Sequence, residues 1–340
     1  MLNLYQFILN DFQLDPFFYN CTNRKIHEID RPFIGYYFLI SGSVLIIIYL
    51  SALIVIVTSD LMKFASYKMM CYLGVLEVYC IFCNSVITGY LGIHGANFCT
   101  HPKFMFVIGV FVVGCWNGTC LTCVFLTLSR CCDLNAKLKM KVIFEGKALY
   151  VVFAIINVYT IYSIVFTSPL LFDSSRMGWF TNPMIGLPSN NYTNIIHTIN
   201  NICDTILSFI LYAYLCYLLK VNNQTSQNEN VLRTQSQIFI QSILICFFNT
   251  TAAIIYVWMQ FYIVSPNVVL FAQIVWQWAH GSVGIVYITV NKTVRQKLVR
   301  TLRATFCCQK YSQIHPTTVI IVCQNVGTTM SHASVDTIYA

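Results

Sequence analysis

Long stretches without a charged residue alternate with short charged segments along this chain. Residues 33–59, 104–129 and 148–172 each run for 25 to 27 positions without Asp, Glu, Lys or Arg. A helix of that length reaches about 38–40 Å, which is enough to cross a hydrocarbon core of about 30 Å. Each stretch is therefore predicted to be a membrane-spanning helix.

Two more stretches of spanning length each contain one acidic residue; they are residues 69–94 with Glu77 and residues 195–219 with Asp204. The longest uncharged run, Thr234 to Asn291, has 58 positions. As one helix it would be about 87 Å long, nearly three membrane thicknesses. Ser265-Pro266-Asn267 is the natural break within this run. The pattern thus predicts an all-α membrane protein with a bundle of seven spans.

The third span carries polar side chains at membrane depth, where they need partners on other helices. They are Trp116, Asn117, Thr119, Thr122 and Thr127. Arg130 is the first charge after this span. These features indicate a helix in the centre of the bundle.

Composition supports the membrane class, because only 9% of the residues are charged, against about 25% in ordinary soluble domains. The net charge of +8 does not indicate nucleic-acid binding, since the basic residues fall in loops on one side of the predicted bundle. Under the positive-inside rule, the N-terminus is outside and the C-terminus is cytosolic. Fifteen of the 20 lysines and arginines lie on the cytosolic side in this topology: Lys63, Lys68, Arg130, Lys137, Lys139, Lys141, Lys147, Lys220, Arg233, Lys292, Arg295, Lys297, Arg300, Arg303 and Lys310.

Four regions follow from this topology. They are an extracellular segment (1–32), the seven-helix domain (33–291), an amphipathic juxtamembrane helix (292–308) and a disordered cytoplasmic tail (309–340). The juxtamembrane helix alternates basic residues with apolar ones at four-residue spacing, a pattern typical of helices that lie on membrane lipid. Cys307 and Cys308 at its end are candidates for palmitoylation, the alternative being two unmodified thiols. Among the Asn-X-Ser/Thr patterns, Asn20 and Asn191 are extracellular and predicted to be glycosylated.

Polar residues of four spans fall at similar depth, about 12–20 Å from the cytosolic ends of their helices. They are Glu77, Asn117, Asn249 and His280, and Asn84 repeats the face of Glu77 one heptad on. They predict a buried polar cluster whose arrangement differs between two receptor states; the alternative is that they only hold helices together. One His and one Glu without a ligand-spaced partner are too few for a metal site, and no metal or other cofactor is expected.

A ligand pocket is predicted nearer the outer mouth. Gln273, Trp276, Gln277 and His280 share one face of the seventh span, and Trp258, Gln260 and Tyr262 of the sixth span are weaker candidates. Asp204 could contact a ligand, or its side chain could snorkel to the surface. The chain contains no HExxH, GxSxG or phosphate-loop motif and no paired carboxylates, so it is not expected to be an enzyme.

Several short patterns, in order from about residue 31 to residue 306, resemble the nematode seven-transmembrane chemoreceptors of serpentine receptor class T. They are Arg31-Pro32-Phe33-Ile34-Gly35, Tyr67 to Met70 with Gly74, Gly89-Tyr90-Leu91 through Gly95 to Cys99, Trp116 with Cys120, Arg130-Cys131, and Asn291-Lys292-Thr293 with Arg295. The resemblance implies a GPCR-like fold, an external small-molecule ligand, a heterotrimeric G protein partner and a place in the plasma membrane and cilia of sensory neurons. The family pattern has an aspartate in place of Glu77, and a proline shortly before Tyr287 where this chain has Ser282-Val283-Gly284.

The resemblance also carries a disulfide and a signalling residue. Receptors of this general fold tie the top of the third span to the second outer loop, but residues 172–194 contain no cysteine. Cys21 is therefore the expected partner of Cys99. An arginine at the place of Arg130 contacts the G protein in such receptors; the alternative here is a positive-inside anchor.

Two other functions stay open. A transporter or channel subunit could use Glu77, Asp204 and His280 as an ion path, although the chain shows no internal repeat of the kind common in transporters. The other possibility is a receptor-like protein that has lost signalling and acts in trafficking or as a heteromer partner.

Overall fold

A computed structural model describes residues 2–22, 29–135, 137–225, 229–262 and 264–312. These residues include seven helices long and apolar enough to cross a membrane, which confirms the predicted fold. They are span 1 (Pro32–Val57), span 2 (Ala65–Ile93), span 3 (Pro102–Leu134), span 4 (Ala148–Phe166), span 5 (Ile195–Thr225), span 6 (Glu229–Phe261) and span 7 (Pro266–Thr289). The end of the bundle near residues 2–22 is called the N-terminal face, and the opposite end is called the C-terminal face.

Span 3 is the central helix, as its polar residues indicated. In its most apolar stretch 72% of the residues are buried, against 28% in span 4 and 33% in span 5. Buried apolar side chains form one cluster toward the N-terminal face, which includes Phe106, Trp116 and Trp276. A second cluster toward the C-terminal face includes Tyr49 and Tyr287.

Span 4 is shorter than predicted, because its helix ends at Phe166 rather than near Phe172. Pro169 disfavours helical backbone at Ser168, so the chain leaves the helix before the proline. The apolar residues that follow form the strand β1 (Leu171–Asp173), which pairs antiparallel with β2 (Gly178–Phe180). Most of this hairpin lies within residues 172–194, the predicted second outer loop.

The hairpin and the N-terminal segment together form a cover on the N-terminal face, defined here as residues 2–22 and 171–192. The segment contains a short helix, α1 (Leu4–Leu9), and Phe7 packs against Phe106 of span 3 at 4.9 Å between ring centroids. Tyr19 is buried, which raises the pKa of its hydroxyl, and Tyr192 donates a hydrogen bond to the Phe18 carbonyl at 2.5 Å. The cover thus packs into the same apolar cluster as the parts of the spans nearest the N-terminal face.

Span 2 changes from α-helix to π-helix and back again along its length. It is α-helical over Ala65–Ile81, π-helical over Phe82–Ile87 and α-helical again over Thr88–Ile93. Short π-helical segments inside α-helices occur frequently at functional sites, because the wider turn redirects side chains and frees backbone carbonyls.

At the C-terminal face, a helix (Lys292–Ser312) follows span 7 directly. Val294 is fully buried in the apolar cluster toward the C-terminal face, and Leu298 packs against that cluster. Asn291 accepts a hydrogen bond from the Val294 amide at 3.2 Å. Cys307 and Cys308 lie in this helix, and their side chains are outside what the structure describes.

Candidate functional site

Glu77 of span 2 and His280 of span 7 are in direct contact. The carboxylate Oε2 is hydrogen-bonded to the imidazole Nδ1, and both side chains are 0% exposed. Among the described residues, Glu77 Oε1 and His280 Nε2 have no hydrogen-bond partner. The rings of Trp116 and Trp276 pack at 5.4 and 6.1 Å from the imidazole. A buried acid–base pair enclosed by aromatic rings therefore joins spans 2 and 7.

The π-helical segment of span 2 places Asn84 against the same face of span 7. Gln273 Nε2 donates to the Asn84 carbonyl at 2.8 Å, and Asn84 Nδ2 donates to the Trp276 carbonyl at 3.4 Å. Gln277 Nε2 donates to Ser85 Oγ at 3.0 Å and to Ser41 Oγ of span 1 at 2.8 Å. These bonds tie three spans together just above the Glu77–His280 pair.

Two members of the predicted cluster have partners elsewhere. Asn117 donates to Ser163 Oγ of span 4 at 3.0 Å, and Asn249 of span 6 lies 3.7 Å from the thiol of Cys123. The expected single layer thus divides into separate contacts, because residues at equal depth can point in different directions around their helices. The oxygens of both amides are buried without a hydrogen-bond partner among the described residues.

A row of buried polar side chains follows one face of span 5 at helical spacing: His197, Asn200, Asn201, Asp204 and Ser208. Asn201 Oδ1 accepts a hydrogen bond from the Trp116 indole nitrogen at 2.7 Å. Asn200 Oδ1 accepts one from the hydroxyl of Tyr159 in span 4 at 2.9 Å. The row, called here the span 5 polar row, therefore faces spans 3 and 4. The i, i+3, i+4, i+7 spacing is visible in the sequence and could have predicted it.

Asp204 is only 4% exposed, which contradicts the interpretation that it snorkels to the surface. Ser208 and Cys120 lie beside its carboxylate. Among the described residues, neither carboxylate oxygen has a hydrogen bond of ordinary geometry. A carboxylate with unmet hydrogen-bonding capacity thus lies inside the bundle.

Trp116 connects the two polar groups. Its ring packs edge-on against His280, and its indole N–H bonds to Asn201 of the span 5 polar row. It is 4% exposed. Any molecule or movement that shifts Asn201 therefore also acts on the ring that encloses the Glu77–His280 pair.

Span 6 contributes an aromatic residue that the sequence patterns did not single out. Tyr256 donates to Gln273 Oε1 at 3.2 Å, and its ring packs at 5.6 Å from Trp276. The predicted Trp258 and Tyr262 instead point outward, with exposed fractions of 48% and 64%. Gln260 accepts from Thr198 Oγ1 at 2.9 Å and so faces span 5. The helix of span 6 turns Tyr256 toward span 7, whereas Trp258 and Tyr262 lie on its outward side.

The cover reaches this site through one buried hydrogen bond. Trp179 of β2 donates from its indole nitrogen to Thr88 Oγ1 in span 2 at 2.8 Å, and both residues are buried. Thr88 Oγ1 also lies 3.5 Å from Gln273 Nε2. The hairpin is thereby linked to spans 2 and 7 at the upper end of the polar site.

Cys21 and Cys99 are joined by a disulfide with 5.6 Å between their Cα atoms. The bridge ties the end of the N-terminal segment to the loop that precedes span 3. Asn20 and Asn191 are both exposed on the N-terminal face. Beneath them, the cover packs on the bundle mainly through aromatic and apolar side chains.

Arg130 lies near the C-terminal end of span 3 and is 7% exposed. Its guanidinium interacts electrostatically with the Tyr287 hydroxyl of span 7 and with the Asp133 carboxylate one turn later. Tyr287 packs edge-on against Tyr49 of span 1 at 5.8 Å. Arg130 is therefore buried beside Tyr287 of span 7 rather than extended into solvent.

The described residues contain no group of three or more His, Cys, Asp or Glu side chains placed to hold a metal ion. The side chains of the site can form hydrogen bonds, carry a charge and present aromatic rings.

Comparison with known proteins agrees with these features. The model of the family described as "Serpentine type 7TM GPCR chemoreceptor Srt" matches residues 2–313. Serpentine receptor class T-55 of Caenorhabditis elegans is 29% identical over 245 residues. That alignment covers 72% of this chain and 66%, just under two thirds, of the relative's length. With seven apolar spans and a family match over nearly the whole chain, this protein is an integral membrane protein that belongs to the Srt family of serpentine seven-transmembrane chemoreceptors.

Proposed function

We propose that the protein is a chemosensory receptor that binds an external small molecule and activates a heterotrimeric G protein. The family is a class of GPCR-like chemoreceptors rather than enzymes. The observation that carries the proposal is the position of Trp116 between two buried polar groups. Ligand contact at the span 5 polar row would reach the Glu77–His280 pair through this one side chain.

The ligand contacts in this proposal lie along the span 5 polar row, where Asp204 faces spans 3 and 4 beneath the cover. The other predicted pocket residues of span 7 do not meet Asp204: Gln273 and Gln277 bond to spans 1 and 2, and Trp276 packs on Tyr256 of span 6. Unmet hydrogen-bonding atoms on Asp204 supply polar contacts that a bound molecule can satisfy. Trp116 and Tyr159 supply aromatic surface beside the row.

The distribution of Lys and Arg supports an extracellular N-terminal face. In that orientation the exposed Asn20 and Asn191 are available for glycosylation. Arg130 then lies near the cytosolic end of span 3, beside Tyr287, and its forked guanidinium would bind backbone carbonyls of a G protein segment in a receptor state that exposes it. Cys307 and Cys308 follow span 7 in the sequence, and their palmitoylation would anchor the juxtamembrane helix to the inner leaflet.

A ligand screen in cells tests the proposal, with a G protein activity readout and ion-current recording run in parallel. We expect a ligand response that is lost when the G protein is removed and that carries no current of its own. A ligand-evoked current that persists without G protein would instead support the channel hypothesis. In the described contacts, the three ionisable residues of the channel hypothesis do not form one group. Glu77 pairs with His280, whereas Asp204 lies beside Cys120 and Ser208.

A further inference from the structure

Asp204 is a buried acidic residue without a cationic partner among the described side chains. It is the tenth residue of span 5, about 14 Å along the helix, and it is 4% exposed. Ion pairs among the described residues join Lys63 with Asp60, Lys141 with Glu145, and His280 with Glu77. None of these ion pairs includes Asp204.

An isolated ionised carboxylate is costly inside a membrane-spanning bundle. The cost falls when an opposite charge binds nearby, or when the group takes up a proton. Among the described residues, the lysines and arginines lie in loops or near the ends of the spans, so none of them belongs to the helical layer of Asp204. An external cation is the partner that would let the group keep its charge.

The surroundings of Asp204 suit an organic cation more than a metal ion. The two asparagines one turn before it hold the Trp116 indole and the Tyr159 hydroxyl, so both aromatic side chains lie on the same side of span 5. Tyr159 is close enough to interact electrostatically with the Asp204 carboxylate. Aromatic side chains and a carboxylate together recognise alkylammonium groups, whereas the described residues offer no group of three or more metal-ligating side chains.

We propose that Asp204 is the counter-ion for a small protonated organic amine, which is the ligand class of this receptor. The inference rests on the proposed function, since it assigns a ligand class to that same pocket. The ammonium group would bind the carboxylate of Asp204 beside Ser208 and Cys120, and its alkyl or aryl part would lie against Trp116 and Tyr159. A neutral molecule of the same shape would leave the carboxylate unpaired and would bind far more weakly.

Direct binding to the purified full-length receptor in lipid nanodiscs tests the proposal without any G protein. The probes are cyclohexylamine, 2-phenylethylamine and trimethylamine, each compared with a neutral analogue of matched shape: cyclohexanol, 2-phenylethanol and tert-butanol. We expect at least one amine to bind at least about 30-fold more tightly than its analogue. Asp204→Asn should lose about the same factor, Asp204→Glu should keep part of the affinity, and the exposed Asp60→Asn should match the wild type.

Equal binding of amines and neutral analogues would overturn the proposal, as would the failure of all three amines to bind. Unchanged amine affinity in a folded Asp204→Asn receptor would also overturn it. If Asp204→Asn does not fold, the comparison of amine with analogue on the wild-type chain still decides. Amine binding without any G protein response would refute the proposed function alone, whereas a G protein response to neutral molecules only would refute the ligand class alone.

Discussion

A carboxylate at the centre of a membrane-spanning helix costs about 2.5–3.5 kcal/mol even on the lenient insertion scale, so Glu77 needs a partner. Its depth in span 2 is close to that of His280 in span 7, and the sequence predicts that the two lie in one layer. The structure places them in contact. The depth of a residue follows from counting along a helix, whereas its direction around the helix depends on packing. This is why Asn117 and Asn249 have other partners at the same depth.

Glu77→Gln should alter basal or ligand-driven signalling more than surface expression. The amide oxygen can still accept a hydrogen bond from the His280 ring, so the loss of stability should be about 1 kcal/mol. The substitution removes the ionisable carboxylate from the pair, which changes the preference between receptor states. The measurements are surface labelling and G protein activity, with the exposed Glu145→Gln as the matched control. If expression collapses and the surviving receptor signals normally, the pair only holds helices together.

Arg130→Lys should preserve surface delivery and abolish ligand-driven G protein activation. Lysine keeps the charge but loses the forked geometry that lets arginine bind two carbonyls at once. Arg130 follows Ser129, and the carboxylate that interacts with it is that of Asp133, one turn later. Cell-surface labelling and G protein activity are compared with those of Lys147→Arg, which changes the same pair of residue types at the start of span 4. Full signalling by Arg130→Lys would leave only the role of a membrane anchor.

At the scale of elements, hydropathy predicted the seven spans but not the hairpin, the short α1 helix or the π-helical segment. Three-residue strands are too short for an alternation pattern, and residues 172–194 are rich in Ser, Asn, Pro and Gly. The chain can approach span 3 closely just before the hairpin because Gly109 has no side chain. A Cβ at that position would lie 1.9 Å from the Leu170 carbonyl oxygen.

Thr88→Val should destabilise the joint between the hairpin and span 2 by about 1–3 kcal/mol, since it leaves the buried Trp179 N–H without an acceptor. Trp179→Phe removes the donor, so the double variant should lose less stability than the sum of the single variants. Melting temperatures of the four receptors in detergent give the coupling. Thr58→Val is the control, because Thr58 is exposed and bonds only within its own helix. Strict additivity of the two changes would contradict the joint.

For the whole molecule, the fold class follows from the sequence because lipid accepts only helices whose backbone groups are satisfied internally. Each span must therefore be a long apolar run, which is visible in the sequence. The cover on the N-terminal face could not be predicted from the sequence in this way. It depends on contacts such as those of Phe7 and Tyr19 with Phe106, which join residues about 90–100 positions apart and leave no periodic pattern.

Cys99→Ser should release residues 2–22 from the bundle and make the exposed stretch around Phe12 to Phe17 sensitive to protease on intact cells. Cys21→Ser and the double variant should behave alike, because each removes the same cross-link. The loss of stability should be smaller than the roughly 4–5 kcal/mol of the chain-entropy model for so long a loop, since spans 1 and 2 already restrain the chain. Labelling of a free Cys99 thiol on intact wild-type cells would contradict the bridge.

The cover also has a consequence for the timing of the response. In the proposed function, a ligand from outside reaches the span 5 polar row only while the cover is displaced, so the association rate falls by the fraction of time that this path is open. Dissociation needs the same displacement and slows by a similar factor. Affinity can then be modest while each bound molecule stays for a long time. We therefore expect a receptor that averages stimulus concentration over its slow exchange, and that reports the level of a chemical rather than its rapid fluctuations.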